Sequence, residues 1–411
     1  MKYVILGNSA AAIGCVEAIR SEDKAGDITI IAKEKDFTYS RPLISYYLAG
    51  QVEAAKMGYR EPDFYEKMDC ATLLGVGAES LDPKNKTVAL DNGETVDYDK
   101  LLVAVGGLPI IPPIPGLDKV KNKFTFQSMA DALGLERALG KKQDKKVLIL
   151  GGGLIGLKCA EGIGSKAQAI TVLDREDHIL PSILNPEGAS YVQKSGEAAG
   201  VEFILGENAV KFTANTLETD KGTTLDFDIL VVAVGVKANS GLIKVAGGAV
   251  ACGIKTNSKN ETTLADIYAA GDCAESHDLV DGEDKVLALL PNAYLAGENA
   301  GYNMAGKDHS FDNAVAVNAL KFWNCHLITA GQRVGEVYEK ATADNYKKLY
   351  YDDQHLKGFI LIGDVARSGI YTSLIRNSTP LAEIDFDLIK EKPQLMAFSK
   401  KTRAEQLGGK K

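Results

Sequence analysis

The sequence predicts an α/β protein with two parallel-sheet domains, the second inserted into the first, followed by a small α+β domain at the C-terminal end. Three observations carry this expectation. Strand-like apolar runs alternate with helical periodicity through residues 1–310, the grammar of sheets covered by helices. One strand–turn–helix–strand unit opens the chain, and a second unit of the same grammar begins at Lys146. After Met304 the pattern changes to short strands and one late helix.

The first unit reads as a strand over Lys2–Leu6, a helix over Ala10–Arg20 and a strand over Ile28–Ala32. The second reads as a strand over Val147–Leu150, a helix over Leu154–Lys166 and a strand over Ala169–Leu173. Between them, Pro109, Pro112, Pro113 and Pro115 lack the N–H groups a central strand requires, so Pro109–Gly116 reads as a crossover linker. A further strand run, Phe227–Val234, ends at Gly235, after which first-domain features resume at Tyr268–Asp272. The expected division is therefore 1–111 with 236–309, an inserted 112–235, and a C-terminal 310–411. Within the last part, strands are predicted over Lys347–Tyr351 and Leu356–Ile362, with a helix over Ser368–Arg376.

The chain has 411 residues, 45% hydrophobic and 25% charged, enough apolar material for more than one core. A formal net charge of −8 disfavours general attraction to nucleic acid or an anionic membrane. The cysteines (Cys15, Cys70, Cys159, Cys252, Cys273, Cys325) form no C-x-x-C pair, and the five histidines show no metal-ligand spacing, so no metal site is expected. The chain enters a strand directly after Met1-Lys2 and has no apolar run of membrane-spanning length; a cytoplasmic protein without membrane insertion is expected.

Two glycine-rich turns carry the chemistry. In the pattern G-x-G-x-x-G/A the first glycine makes the bend, the second admits a pyrophosphate and the third lets the helix pack closely. The second turn, Gly151-Gly152-Gly153-Leu154-Ile155-Gly156, has every glycine in place, and Asp174 follows 23 residues after Gly151. Asp174 is placed to bond the ribose 2′-OH of NADH and repel a 2′-phosphate, whereas Arg175 beside it favours NADPH. The first turn, Gly7-Asn8-Ser9-Ala10-Ala11-Ala12, has Ser9 at the second position, with Glu34 as its acidic residue. By itself it reads either as a second dinucleotide site or as an ordinary α/β turn. Both units are expected to be Rossmann-like.

Taken with these turns, three more segments give the chain a resemblance to the FAD- and NAD(P)-dependent pyridine nucleotide-disulphide oxidoreductase superfamily. Leu102-Val103-Ala104-Val105-Gly106-Gly107-Leu108-Pro109 is similar to its A-T-G-x-x-P segment, and Ala233–Asn239, with Gly235, is similar to its return motif. Ile267-Tyr268-Ala269-Ala270-Gly271-Asp272 is similar to its second FAD motif. The resemblance implies FAD bound by Gly7, Ser9, Ala10, Ala11, Glu34, Arg41, Pro42, Ala78, Ala104, Val105, Gly106, Gly271, Asp272 and Asn292, with Asp272 on the ribityl chain. It implies NADH, or alternatively NADPH, bound by Gly151, Gly152, Gly153, Leu154, Ile155, Gly156, Asp174 and Gly235.

The segment Tyr39–Gly50 selects the branch. Thiol-dependent members place a reactive cysteine here, but Pro42 holds that position and no cysteine lies between Cys15 and Cys70. The stretch Tyr39-Ser40-Arg41-Pro42 resembles that of rubredoxin and ferredoxin reductases and of the nitrite reductase flavin module. In that reading Arg41 neutralises FAD phosphate and Pro42 walls the flavin. Many members pair a lysine near position 46 with a glutamate near position 158; this chain has Tyr46 and Lys158. Lys158 reads either as a charge near flavin N5 or nicotinamide that shifts the flavin's potential, or as a solvent-facing helix lysine. Phe322 and Trp323 read either as flavin-edge or as packing residues.

The implied function is hydride transfer from NADH to FAD and onward transfer to a small iron–sulfur protein such as rubredoxin or ferredoxin. The basic residues Lys400, Lys401, Arg403, Lys410 and Lys411 form either a contact for an acidic partner or a solvated tail. Two other readings stay open: an NADH oxidase or quinone-type reductase, and a flavin electron-input subunit that works with partner redox subunits. A self-contained nitrite reductase is excluded by the missing iron–sulfur cysteines.

Overall fold

The computed structural model describes residues 1–399 and 403; Lys400, Lys401, Lys410 and Lys411 lie outside the described residues. The chain divides into two compact units. One comprises 1–112, 127–136 and 234–314; the other comprises 113–126, 137–233 and 315 onward.

The first unit is built on a parallel sheet in the order Ile267–Ala269, Lys100–Val103, Lys2–Leu6, Asp27–Ala32, Cys70–Leu74. Its inner strands are buried on both faces, which is why Tyr3-Val4-Ile5-Leu6 is a continuous apolar run rather than an alternating one. Register pairs Leu6 with both Ile31 and Val103, so the chain leaves the sheet at Gly7 between two neighbouring strand ends. The helix that follows, Ala10–Glu22, lies against Leu290–Met304. Small residues permit this approach: a Cβ on Gly297 would fall 1.9 Å from the Ala11 carbonyl oxygen. The proline-rich crossover begins with Gly107–Pro109, which pairs antiparallel with Val236–Ala238 in a two-stranded ribbon. Pro109 is tolerated there because such a ribbon has two edges and no central strand.

The second unit holds a parallel sheet in the order Val201–Leu205, Ala169–Asp174, Lys146–Leu150, Ile229–Val232, Lys123–Phe124. Its turn helix spans Leu154–Ile163 and stops short of the expected Lys166, where Gly162 and Gly164 weaken the last turn. Residues from Val315 belong to the same unit and form an antiparallel sheet in the order Val317–Phe322, Cys325–Gly331, Leu356–Ile362, Tyr346–Tyr351, Glu336–Ala341. The helix Ser368–Arg376 covers one face. This sheet is docked on the Pro186–Ala198 helix, where a Cβ on Gly196 would lie 2.8 Å from the Trp323 ring. Among the described residues no helix is long and apolar enough to cross a membrane.

Candidate active site

In the first unit, Gly7 has φ +113°, and a Cβ there would sit 2.2 Å from the Ala104 carbonyl oxygen. A side chain is therefore excluded by both conformation and contact. Ser9 is the residue before the Ala10–Glu22 helix, yet its hydroxyl makes no capping hydrogen bond. The first N–H groups of that helix, on Ala10 and Ala11, are thus left for an anionic ligand. Ala104, Val105 and Gly106 follow the neighbouring strand, and Gly271 sits within van der Waals reach of Ala11 and Ala293. Segments that lie about 100 and 265 residues after the first turn in sequence are thereby gathered at it.

Glu34 and Arg41 are paired. The Arg41 guanidinium meets the Glu34 carboxylate, and the Tyr39 hydroxyl donates to the same carboxylate at 2.6 Å. Arg41 also donates to the Gln127 carbonyl at 2.9 Å, and Met129 N–H donates to Tyr39 Oη at 3.0 Å. The segment 127–136 is fastened to this unit by these bonds and by Tyr47 Oη to Glu136 at 3.2 Å. Burial opposes the charge on Arg41, but Glu34, Tyr39 and Asp272 together raise its affinity for the proton. Asp272 shows the converse: burial pushes its carboxyl above the usual carboxylate range, and Arg41 only partly opposes this. Among the described residues none donates a hydrogen bond to the Asp272 side chain.

Pro42 lies exposed in the short helix Arg41–Leu43, and Tyr46 follows on Ile44–Leu48. Ala78 opens the strand Ala78–Asp82, and Asn292 is buried in the first turn of Leu290–Met304. Sequence reasoning missed Tyr39 as the bridge between Glu34 and the 127–136 segment. It also missed the Tyr65 hydroxyl, which donates to Asn8 at 2.8 Å and accepts from Thr38 N–H at 2.9 Å, bracing the first turn. Tyr39 to Met129 and Tyr65 to Asn8 are contacts between residues far apart in sequence, with no local signature.

In the second unit, Gly151 has φ +115°, and a Cβ on Gly156 would fall 2.0 Å from the Gly151 carbonyl oxygen. Space beside Gly153 is open. Leu154 and Ile155 begin the helix with Gly153 as an uncapped N-terminal residue. Asp174 Oδ2 accepts from Gly152 N–H at 2.5 Å, and Oδ1 accepts from Glu176 N–H at 2.9 Å. Each oxygen keeps a lone pair for a ribose hydroxyl. Arg175 is exposed and turned to Glu176 at 3.1 Å. Gly235, expected with this set, falls in the first unit, where φ is +123° and its carbonyl accepts from Ile110 N–H at 3.0 Å.

Lys158 projects from the turn helix toward the C-terminal sheet. Its ammonium bonds Glu161 at 2.7 Å and the Lys321 carbonyl at 2.5 Å, 5.0 Å from the centre of the Phe322 ring. Glu161 in turn accepts from Trp323 N–H at 2.7 Å. Of its two expected settings, the solvent-facing one is not what this geometry shows: the side chain is only 19% exposed. Phe322 is fully buried, and Trp323 packs on Gly196. All six cysteines are free, and among the described residues no group of three or more metal-ligating side chains is gathered.

Two dinucleotide-type turns, each with an uncapped helix start and an open carboxylate acceptor in its unit, are suited to two bound dinucleotides. The chain belongs to the pyridine nucleotide-disulphide oxidoreductase family, whose model matches residues 1–297. It is 29% identical over 398 residues to the NADH-dependent phenylglyoxylate dehydrogenase subunit epsilon of Aromatoleum evansii, covering 93% of each chain. It is 30% identical over 322 residues to an NADH oxidase of Methanocaldococcus jannaschii, covering 76% of this chain and 71% of that one. The crystal structure of NADH:rubredoxin oxidoreductase from Clostridium acetobutylicum superposes with a TM-score of 0.78 at 26% identity, covering 95% and 99% of the two chains. The protein is an FAD-dependent NAD(P)H oxidoreductase.

The residues present fit the flavin nucleotide: Gly7 leaves no room for a side chain, the helix start is uncapped, and Asp272 is an acceptor without a donor. FAD, when bound, accepts a hydride from the reduced nicotinamide and can release electrons singly. Ala10 and Ala11 N–H would hold its phosphate and Asp272 its ribityl hydroxyls, while Arg41 is already paired with Glu34.

Proposed function

We propose that this protein oxidises NADH and passes the electrons to a small iron–sulfur protein of the rubredoxin or ferredoxin class. One observation carries this reading: the segment Tyr39–Gly50 contains Pro42 and no cysteine, so electrons leave without a protein dithiol. The near full-length likeness to a rubredoxin oxidoreductase supports it. Asp174, with a lone pair left on each oxygen, favours NADH over NADPH, and a cytoplasmic setting is consistent with both partners. Anaerobic stopped flow tests the reading. Rapid NADH-driven flavin bleaching followed by rapid reduction of added rubredoxin or ferredoxin is expected; electrons reaching only oxygen or quinones would contradict it.

A second reading is favoured by the 93% mutual coverage with a dehydrogenase subunit: a flavin subunit that exchanges electrons with partner redox subunits. Slow turnover with every free acceptor, together with co-purification with iron–sulfur subunits, is the outcome that selects it.

A further inference from the structure

We propose that Arg333, outside the nucleotide-binding sheet, is a positioning residue for NADH and for the preference for NADH over NADPH. This rests on the reading that Asp174 bonds the adenosine ribose. The loop from Asp174 to Asn185 wraps the second glycine-rich turn and is bonded to both sides of Gly152. Asp174 accepts from the Gly152 N–H, and Leu180 N–H donates to the Gly152 carbonyl at 3.0 Å. The loop has bonds of its own, Ile183 and Leu184 N–H to the Leu180 carbonyl and Gly206 N–H to the Glu176 carbonyl, but two features leave it in need of further support. Leu180 has a left-handed backbone (φ +54°) that a branched, Cβ-bearing residue adopts at a cost, and His178 Nε2 is buried without a hydrogen-bond partner.

The restraint comes from the C-terminal sheet. Arg333 follows the Cys325–Gly331 strand, and its neighbour Gln332 is bonded back to the sheet through N–H to the Lys357 carbonyl at 2.8 Å. Its guanidinium donates to the loop carbonyls of Leu184, of Pro181 at 3.0 Å and of Ser182 at 3.3 Å. The loop's end is fixed as well, by Asn185 Nδ2 donating to Tyr346 Oη at 2.7 Å. A planar fork reaching three carbonyls cannot be replaced by a single ammonium. The C-terminal sheet therefore braces, through Arg333, the loop that bonds both sides of Gly152, and so refines the setting of the Asp174 carboxylate at the strand end.

The test uses FAD-loaded protein and stopped-flow flavin reduction with NADH and NADPH. Arg333→Met is expected to raise the apparent Kd for NADH on the order of tenfold, from the lost charge-assisted bonds. The limiting reduction rate should stay within about twofold. The ratio of NADH to NADPH efficiency should fall several-fold, and amide exchange over residues 176–184 should quicken. Arg333→Lys should lie between wild type and Arg333→Met. An unchanged NADH Kd and selectivity in a protein that retains FAD would overturn the proposal, as would a lowered limiting rate with unchanged Kd. If Arg333→Met does not fold, Arg333→Lys decides on the same readouts. Asp174→Asn is the separate control: unchanged NADH binding in that variant breaks the ribose reading, while loop exchange in the Arg333 variants still tests the restraint.

Discussion

The two glycine-rich turns do the same kind of work with different construction. At the second turn the glycines and the acidic residue contact one another directly: Asp174 is bonded to the turn's own Gly152 N–H, and the third glycine is required because a Cβ on Gly156 would meet the Gly151 carbonyl at 2.0 Å. At the first, Ser9 and Ala12 stand where glycines stand in the second, and Ala12 is fully buried. Its acidic residue is held by side chains, Arg41 and Tyr39, that tie in the 127–136 segment. A motif written in adjacent residues tolerates little change, whereas one assembled from distant residues spreads the requirement over many positions.

Substitutions at the two turns should therefore differ in their effects. The largest effect is expected from Gly156→Ala. The new methyl meets a backbone carbonyl that cannot swing away, so the turn must shift at a cost of about 3 kcal/mol, the upper end for overpacking. NADH-driven flavin reduction should be lost while FAD is retained, as read by absorbance and stopped flow. A normal Kd would show that the second turn is as tolerant as the first.

Next is Asp272→Asn. Loss of a charged acceptor for ribityl hydroxyls should weaken FAD binding by about ten- to a hundredfold, measured by fluorescence titration of the apoprotein. The same change has an opposite effect on the apoprotein's stability. Burial raises the folded-state pKa of Asp272 above its unfolded value. Its favourable contribution is therefore present below the ordinary carboxylate pKa and is lost as pH rises through the folded value. At neutral pH the apo variant should melt higher than the apo wild type, and the gap should close on acidification.

A smaller effect is expected from Arg175→Ala. With its side chain 75% exposed and turned to Glu176, Arg175 should change the NADH-to-NADPH ratio of kcat/KM by no more than about twofold. The smallest belongs to Ser9→Gly, which restores the second glycine of the first turn. FAD affinity should move by less than about threefold, because Ser9 makes no capping bond. A large gain in affinity would show that Ser9 obstructs the site.

The same contrast explains what was legible in the sequence. Both parallel sheets and their turn helices were readable, since apolar runs and glycine spacing are local signals. Asp272 and Arg41 could be chosen only through a family resemblance, and their mutual approach depends on where Lys100–Val103 and Ile267–Ala269 enter the sheet. The C-terminal sheet was half seen: Glu336–Ala341 is charged and exposed, so its alternation carries no apolar signal. Arg333 was invisible, because three carbonyls of a distant loop leave no mark on the residues around it.

The flavin is proposed to hand electrons outward without a protein thiol. An anaerobic titration of the FAD-loaded protein with NADH tests it most directly. Full bleaching after one equivalent of NADH per FAD, with no further uptake and no long-wavelength thiolate–flavin band, is the predicted result. Consumption of a second equivalent before bleaching is complete, or the appearance of that band, would contradict it.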